Sequence, residues 1–167
     1  MSKRIPDLPV PGPLPNKLVN GKDERDSDLA EIIPKQLYLA SAKLAGNHEL
    51  LKKYGITYVL NVGHKIAGIT YPEGVAVDQA YFEDNACNSL AKTETKLEHA
   101  YQLLSARRDD EVKLVHCAQG ISRSPSVIIY YLKKKFNYTY EQAETLVKSK
   151  RKIKPNDALR IILKRKK

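Results

Sequence analysis

The chain has 167 residues, two cysteines and a formal net charge of +10. That length fits one domain; no stretch approaches the roughly 20 apolar residues of a membrane span, the first residues hold no apolar segment of signal-peptide type, and two cysteines argue against a disulfide framework. The charge is uneven: Lys148 to Lys167 holds ten Lys or Arg against one acid, Asp157, so nine of the ten net charges lie there.

Residues 1–27 contain five prolines by position 15 and then a charged run, Lys22 to Asp26, without periodicity. They read as a disordered or loosely docked proline-rich arm. A globular pattern starts at Asp28 and runs to Lys164, leaving residues 165–167 as a basic tail end. Residues 36–40 suggest a strand. Residues 43–54 suggest a helix ended by Gly55, a residue suited to the position just past a helix. Residues 56–62 form a β-branched strand closing at Gly63, Tyr71 to Gly74 marks a turn, and residues 75–82 read as another strand. Residues 93–107 are helical, with Leu97, Ala100, Tyr101 and Leu104 at i, i+3, i+4, i+7 spacing. A short strand over 112–115 precedes a polar loop. Residues 123–134 form a largely apolar helix with a basic end that suits the helix dipole. Residues 139–150 are amphipathic behind Thr139, a suitable N-cap, and residues 156–164 make the last helix. No internal repeat is present.

The loop carries the chemistry. Residues 116–125 read His-Cys-Ala-Gln-Gly-Ile-Ser-Arg-Ser-Pro. Cys117 to Arg123 must turn sharply from strand to helix. In such a turn the backbone N–H groups of Ala118, Gln119, Gly120, Ile121 and Ser122 can form a nest for an anion. The helix start adds unpaired N–H groups and the positive end of its dipole. Arg123 can hold two phosphate oxygens with its planar fork. The same positive surroundings favour a thiolate at Cys117, placed to attack phosphorus. Gly120 lets the loop adopt positive φ and approach the ligand. Ser124 is placed to hydrogen-bond the sulfur and help it leave later.

His-Cys-Ala-Gln-Gly-Ile-Ser-Arg-Ser-Pro resembles the HCxxGxxRS signature of dual-specificity phosphatases, a branch of the cysteine-dependent protein tyrosine phosphatases. Residues 31–39 resemble the family's opening strand segment, with Ala40 where glycine is common. Residues 54–62 (Tyr-Gly-Ile-Thr-Tyr-Val-Leu-Asn-Val) and 154–156 (Lys-Pro-Asn) resemble two further family segments. The resemblance covers about residues 28–164. It implies a single α/β domain, a central and mostly parallel sheet flanked by helices, that hydrolyses phosphotyrosine and phosphoserine or phosphothreonine through a phosphocysteine intermediate. It also implies a general acid on a loop between a strand and the following helix. Asp84 matches that place and Asp78 is the alternative. His116 would orient the loop from behind, and Asn156 would brace it from the last helix or simply cap that helix.

Cys87, three residues beyond Asp84, is either an ordinary loop thiol or a partner that traps Cys117 as a disulfide. His48, His64 and His99 show no metal-ligand spacing, and no metal or other cofactor is expected, because Arg123 and the nest already balance the phosphate charge. Other members of the superfamily act on phosphoinositides or RNA 5′-phosphates. The uncharged Ala118, Gln119 and Ile121, and Ser-Pro after Arg123, favour a phosphorylated protein as substrate. A phosphate-binding module without turnover is the reading from a different class. A thiolate enzyme needs a reducing compartment, cytosol or nucleus, and the basic end suits contact with a polyanion. A monomer is expected.

Overall fold

The computed structural model describes residues 29–64, 69–85, 87 and 89–165. The arm assigned to residues 1–27, and Lys166 and Lys167 of the tail, lie outside them. Five strands, β1 (Ala30–Ile33), β2 (Leu37–Ala40), β3 (Tyr58–Asn61), β4 (Ala76–Gln79) and β5 (Lys113–His116), form one sheet in the order β1-β2-β5-β3-β4. β1 pairs antiparallel with β2, and the other three pairings are parallel. The fold is therefore α/β with a mostly parallel sheet.

β5 lies at the centre, its His116 in register with Ala40 on one side and Asn61 on the other. β2, β3 and β5 are buried throughout. That is why apolar neighbours such as Val59 and Leu60, or Leu114 and Val115, stand side by side in them instead of alternating with polar residues. β4, at the edge, is partly exposed and carries Asp78 and Gln79. Helices α1 (Ala42–Ala45) and α2 (His48–Lys53) cover one face, packing Leu44, Leu50 and Leu51 on Val59 and Leu114. Helices α3 (Leu90–Ser105), α4 (Arg123–Phe136), α5 (Tyr140–Lys150) and α6 (Asp157–Lys164) cover the other. α4 is buried along most of its length among them.

Local chemistry explains where the elements depart from the sequence pattern. The helix expected over residues 43–54 is two helices. Asn47 turns its side chain to accept the Leu50 N–H at 3.2 Å, starting α2 anew and ending α1 at Gly46. Gly55 follows α2 at φ 68°. α3 begins at Leu90 rather than at residue 93, because Ser89 caps it by accepting the Lys92 N–H. β5 runs one residue further than residues 112–115, so that the strand ends on His116. Thr139 caps α5 in a reciprocal box with Gln142, each side chain 3.0 Å from the other's backbone N–H. β1 has no separate signal in the sequence. It folds back on β2 through a turn at residues 34–36, where Lys35 takes φ 60° and donates its backbone N–H to Glu31.

Candidate active site

The loop after β5 starts with Cys117, which is 2% exposed. Its geometry follows from what holds its carbonyl groups. Ala118 O accepts from the Ala42 N–H at 3.0 Å and Ile121 O from the Lys154 N–H at 2.7 Å. Arg151, just past α5, donates Nη2 to Gln119 O at 2.7 Å and Nε to Gly120 O at 2.8 Å. Four successive carbonyls are thus tied to the surrounding scaffold. The described peptide bonds are all trans. In a planar trans peptide the N–H of the next residue points opposite the carbonyl. The N–H groups of Gln119, Gly120, Ile121 and Ser122 therefore face the interior of the loop. One of them is engaged there: the Gly120 N–H donates to Cys117 Sγ at 3.2 Å.

Gly120 sits at φ 71°, and an added Cβ would lie 2.8 Å from Arg151 Nη2 and 2.9 Å from Ala40 O. Gly63 matters for a different reason. A Cβ there would stand 3.0 Å from Cys117 Cα, so a side chain at the exit of β3 would press on the Cys117 backbone.

Three side chains complete the site. Ser124 Oγ is 3.1 Å from Cys117 Sγ. Arg123 opens α4 and donates Nη1 to Phe82 O at 3.0 Å, while its buried Nε has no protein partner among the described residues. Buried donors rarely stay unpaired, and a tetrahedral oxyanion in the loop is an acceptor of the right charge. Next to Cys117, His116 is fully buried. Its Nδ1 donates to Cys117 O at 3.0 Å, and its Nε2 lies 2.8 Å from the Tyr71 hydroxyl. Burial pushes its pKa below the ordinary value, the Cys117 carbonyl opposing. The neutral ring then donates at Nδ1 and accepts from Tyr71 at Nε2.

The two candidate acids have different surroundings. Asp84 stands over the loop, its Oδ1 taking hydrogen bonds from Ser122 Oγ at 2.8 Å and Asn156 Nδ2 at 2.6 Å. Asp78 sits on β4 and accepts the Tyr58 hydroxyl at 2.9 Å. Burial and that carboxylate hold the Tyr58 hydroxyl firmly protonated. Asn156 caps α6 through Oδ1 on the Leu159 N–H and reaches Asp84 through Nδ2. Cys87 is exposed and free, its backbone N–H held by Asn85 Oδ1. His48 bonds Thr70, far from any metal-like grouping, and no cluster of metal-ligating side chains occurs among the described residues.

The structure thus brings together Cys117, Gly120, Ser122, Arg123, Ser124 and Asp84, and leaves Asp78 with Tyr58. Arg151, Tyr71 and Gly63 also belong to the site and carry no signal in the sequence pattern. Arg151 is hidden in the basic run from Lys148 to Lys154. Tyr71 is followed by proline and reads only as part of a turn.

A mostly parallel sheet whose central strand leads into a thiol, beside an arginine and a loop of inward N–H groups, defines the cysteine phosphatase class. Residues 37–167 match the family model of the dual specificity phosphatase catalytic domain, and the chain belongs to that family. It is 33% identical over 134 residues to Dual specificity protein phosphatase 1 of Arabidopsis thaliana, covering 77% of this chain and 64% of that one. It is 35% identical over 131 residues to the human Protein phosphatase Slingshot homolog 1, covering 77% of this chain but 12% of the relative. The chain therefore spans less than two thirds of the length of these curated relatives. Among solved structures it resembles human DUSP28 with a TM-score of 0.66 at 30% identity, over 81% of this chain and 90% of the other. A mouse protein complexed with zinc tungstate superposes with a TM-score of 0.69 at 28% identity, over 87% and 90%. No helix of the described residues is long and apolar enough to cross a membrane.

Proposed function

We propose that the protein is a phosphoprotein phosphatase that hydrolyses phosphotyrosine and phosphoserine or phosphothreonine through a phosphocysteine intermediate. The observation that carries this reading is the sulfur at the base of a loop of which four successive carbonyls are held outward. Phosphate oxygens take the inward N–H groups of Gln119 to Ser122 and the Arg123 guanidinium. Cys117 Sγ then attacks phosphorus as the phosphorus–oxygen ester bond breaks, and Asp84 gives its proton to the leaving oxygen. In the second half, water attacks the phosphocysteine, Asp84 takes a proton from it, and the sulfur–phosphorus bond breaks. The Gly120 N–H and the Ser124 hydroxyl, both within hydrogen-bond reach of Sγ, stabilise the thiolate as it leaves. General acid catalysis of this kind contributes about 10²–10⁴ in rate.

The named phosphatases among the relatives support the substrate class, and tungstate in the mouse relative is an oxyanion of phosphate's shape. Intact Cys117, Arg123 and Ser124 favour turnover over mere binding. The free thiols suit cytosol or nucleus, and the basic end supports contact with an acidic partner. Turnover of p-nitrophenyl phosphate without added metal, inhibited by vanadate and abolished in Cys117→Ser, is the expected result. Measurable activity in a clean preparation of that variant removes the covalent mechanism. Phosphopeptides, phosphoinositides and triphosphorylated RNA compared side by side decide the substrate class.

A further inference from the structure

Asp84 meets the rest of the site through one carboxylate oxygen. Oδ1 accepts from Ser122 Oγ at 2.8 Å and from Asn156 Nδ2 at 2.6 Å. The direction of each bond is fixed from elsewhere. The Asn156 backbone N–H donates to Ser122 Oγ at 3.0 Å, which turns the hydroxyl proton toward Asp84. Asn156 Oδ1 is committed to the Leu159 N–H at 2.9 Å as the cap of α6, so the amide presents Nδ2 to the carboxylate. A carboxylate oxygen has two lone-pair sites. Both sites of Oδ1 are filled.

We propose that Ser122 and Asn156 are positioning residues that fix the catalytic proton of Asp84 on Oδ2. The inference rests on the reading of Asp84 as the general acid. The proton leaves Oδ2 for the ester oxygen as the phosphorus–oxygen bond breaks. It returns to Oδ2 from the attacking water as the sulfur–phosphorus bond breaks. A helix cap and a hydroxyl of the phosphate loop together choose the oxygen that does this work. The titratable and charged residues beside Asp84 and its two partners are Glu83, Cys117, Arg123, Lys154 and Asp157, and α3, α4 and α6 carry others further along, including Lys92, Glu94 and Arg160. All stay in place in the variants below.

Asn156→Asp is the decisive variant. A carboxylate caps α6 as well as the amide does, but it faces Asp84 Oδ1 with an oxygen. The two carboxyls then share a proton between them, on the wrong oxygen of Asp84, and hold it more tightly. The expected result has three parts. Thermal unfolding stays within a few degrees of the wild type. kcat/KM for phenyl phosphate, a poor leaving group, falls roughly tenfold or more, while that for p-nitrophenyl phosphate falls less than about threefold. The high-pH limb of kcat/KM moves to higher pH. Ser122→Ala, lacking one donor, shows the same leaving-group bias more weakly, and Ser122→Thr restores the wild-type ratio. If Asn156→Asp does not fold, the Ser122 pair decides. Equal losses on both substrates, or an unmoved limb with a wild-type leaving-group ratio, overturn the assignment. Asp84→Asn is measured alongside. Absence of leaving-group bias there overturns the reading of Asp84 itself. Bias there with wild-type behaviour in Asn156→Asp and Ser122→Ala overturns only the placement of its proton.

Discussion

Gly120→Ala tests how tightly the phosphate loop is clamped. Two costs add at this position. The residue sits at φ 71°, where an L-residue loses about 1–2 kcal/mol. Its new Cβ meets Arg151 Nη2 at 2.8 Å, and both Arg151 Nε and Ala40 O at 2.9 Å. Arg151 can swing away only by releasing Gln119 O and Gly120 O. Ala40 O is backbone at the end of β2 and cannot swing. Overpacking of this kind costs about 1–3 kcal/mol, so the loss of stability should be about 2–5 kcal/mol. Relief comes from moving the loop, and a shift near 1 Å costs about 10² in rate. Urea denaturation measures the first effect; turnover of an aryl phosphate and inhibition by inorganic phosphate measure the second. Adding Arg151→Ala removes the guanidinium clash but not the Ala40 clash, so it should restore only part of the stability. A stability loss below about 1 kcal/mol with near-normal turnover would refute the argument that the scaffold fixes the loop.

Arg123→Lys should lower activity by orders of magnitude despite the retained charge, because one ammonium cannot replace the fork; near-normal kcat/KM shows that Arg123 does not clamp phosphate. Asp78→Asn should leave turnover of poor leaving groups unchanged and cost about 0.5–1.5 kcal/mol of stability through the Tyr58 hydrogen bond, read by urea denaturation; leaving-group bias in this variant reassigns the acid. Stability should also fall on acidification. His116 is held neutral, with its pKa below that of the unfolded chain, so the unfolded state binds the proton first. Stability is therefore full above the unfolded value and declines as pH drops from there toward the folded value, by up to about 1.4 kcal/mol per pH unit. A flat urea midpoint between pH 7.5 and 5.5 would contradict this.

The core of the site is legible in the sequence because it is contiguous. Cys117, Gly120, Arg123 and Ser124 lie within eight residues, and the strand and helix that frame them have strong apolar signals. What is not legible depends on long-range contacts. Arg151 differs in no local way from Lys150 or Lys152, yet it alone reaches the carbonyls of Gln119 and Gly120. Tyr71 meets His116 across 45 residues. Asp78 and Asp84 are separated by partners, Tyr58 against Ser122 and Asn156, that neither residue's neighbours in sequence disclose. Elsewhere the errors are local competitions. Asn47 and Ser89 move helix starts by offering their side chains to backbone N–H groups, which apolar spacing does not register.

The outward tethering of the loop also bears on selectivity in the proposed phosphatase reaction. Ala42, Arg151 and Lys154 build the pocket floor before any ligand arrives. Such a floor answers to the phosphate group alone, which every phosphorylated residue presents identically. Free phosphate and similar oxyanions are then competitors of the same standing as the esterified group. Under the proposed function, discrimination falls to side chains above that floor, and Ile121, 37% exposed at the loop's surface, is a residue at which to test it.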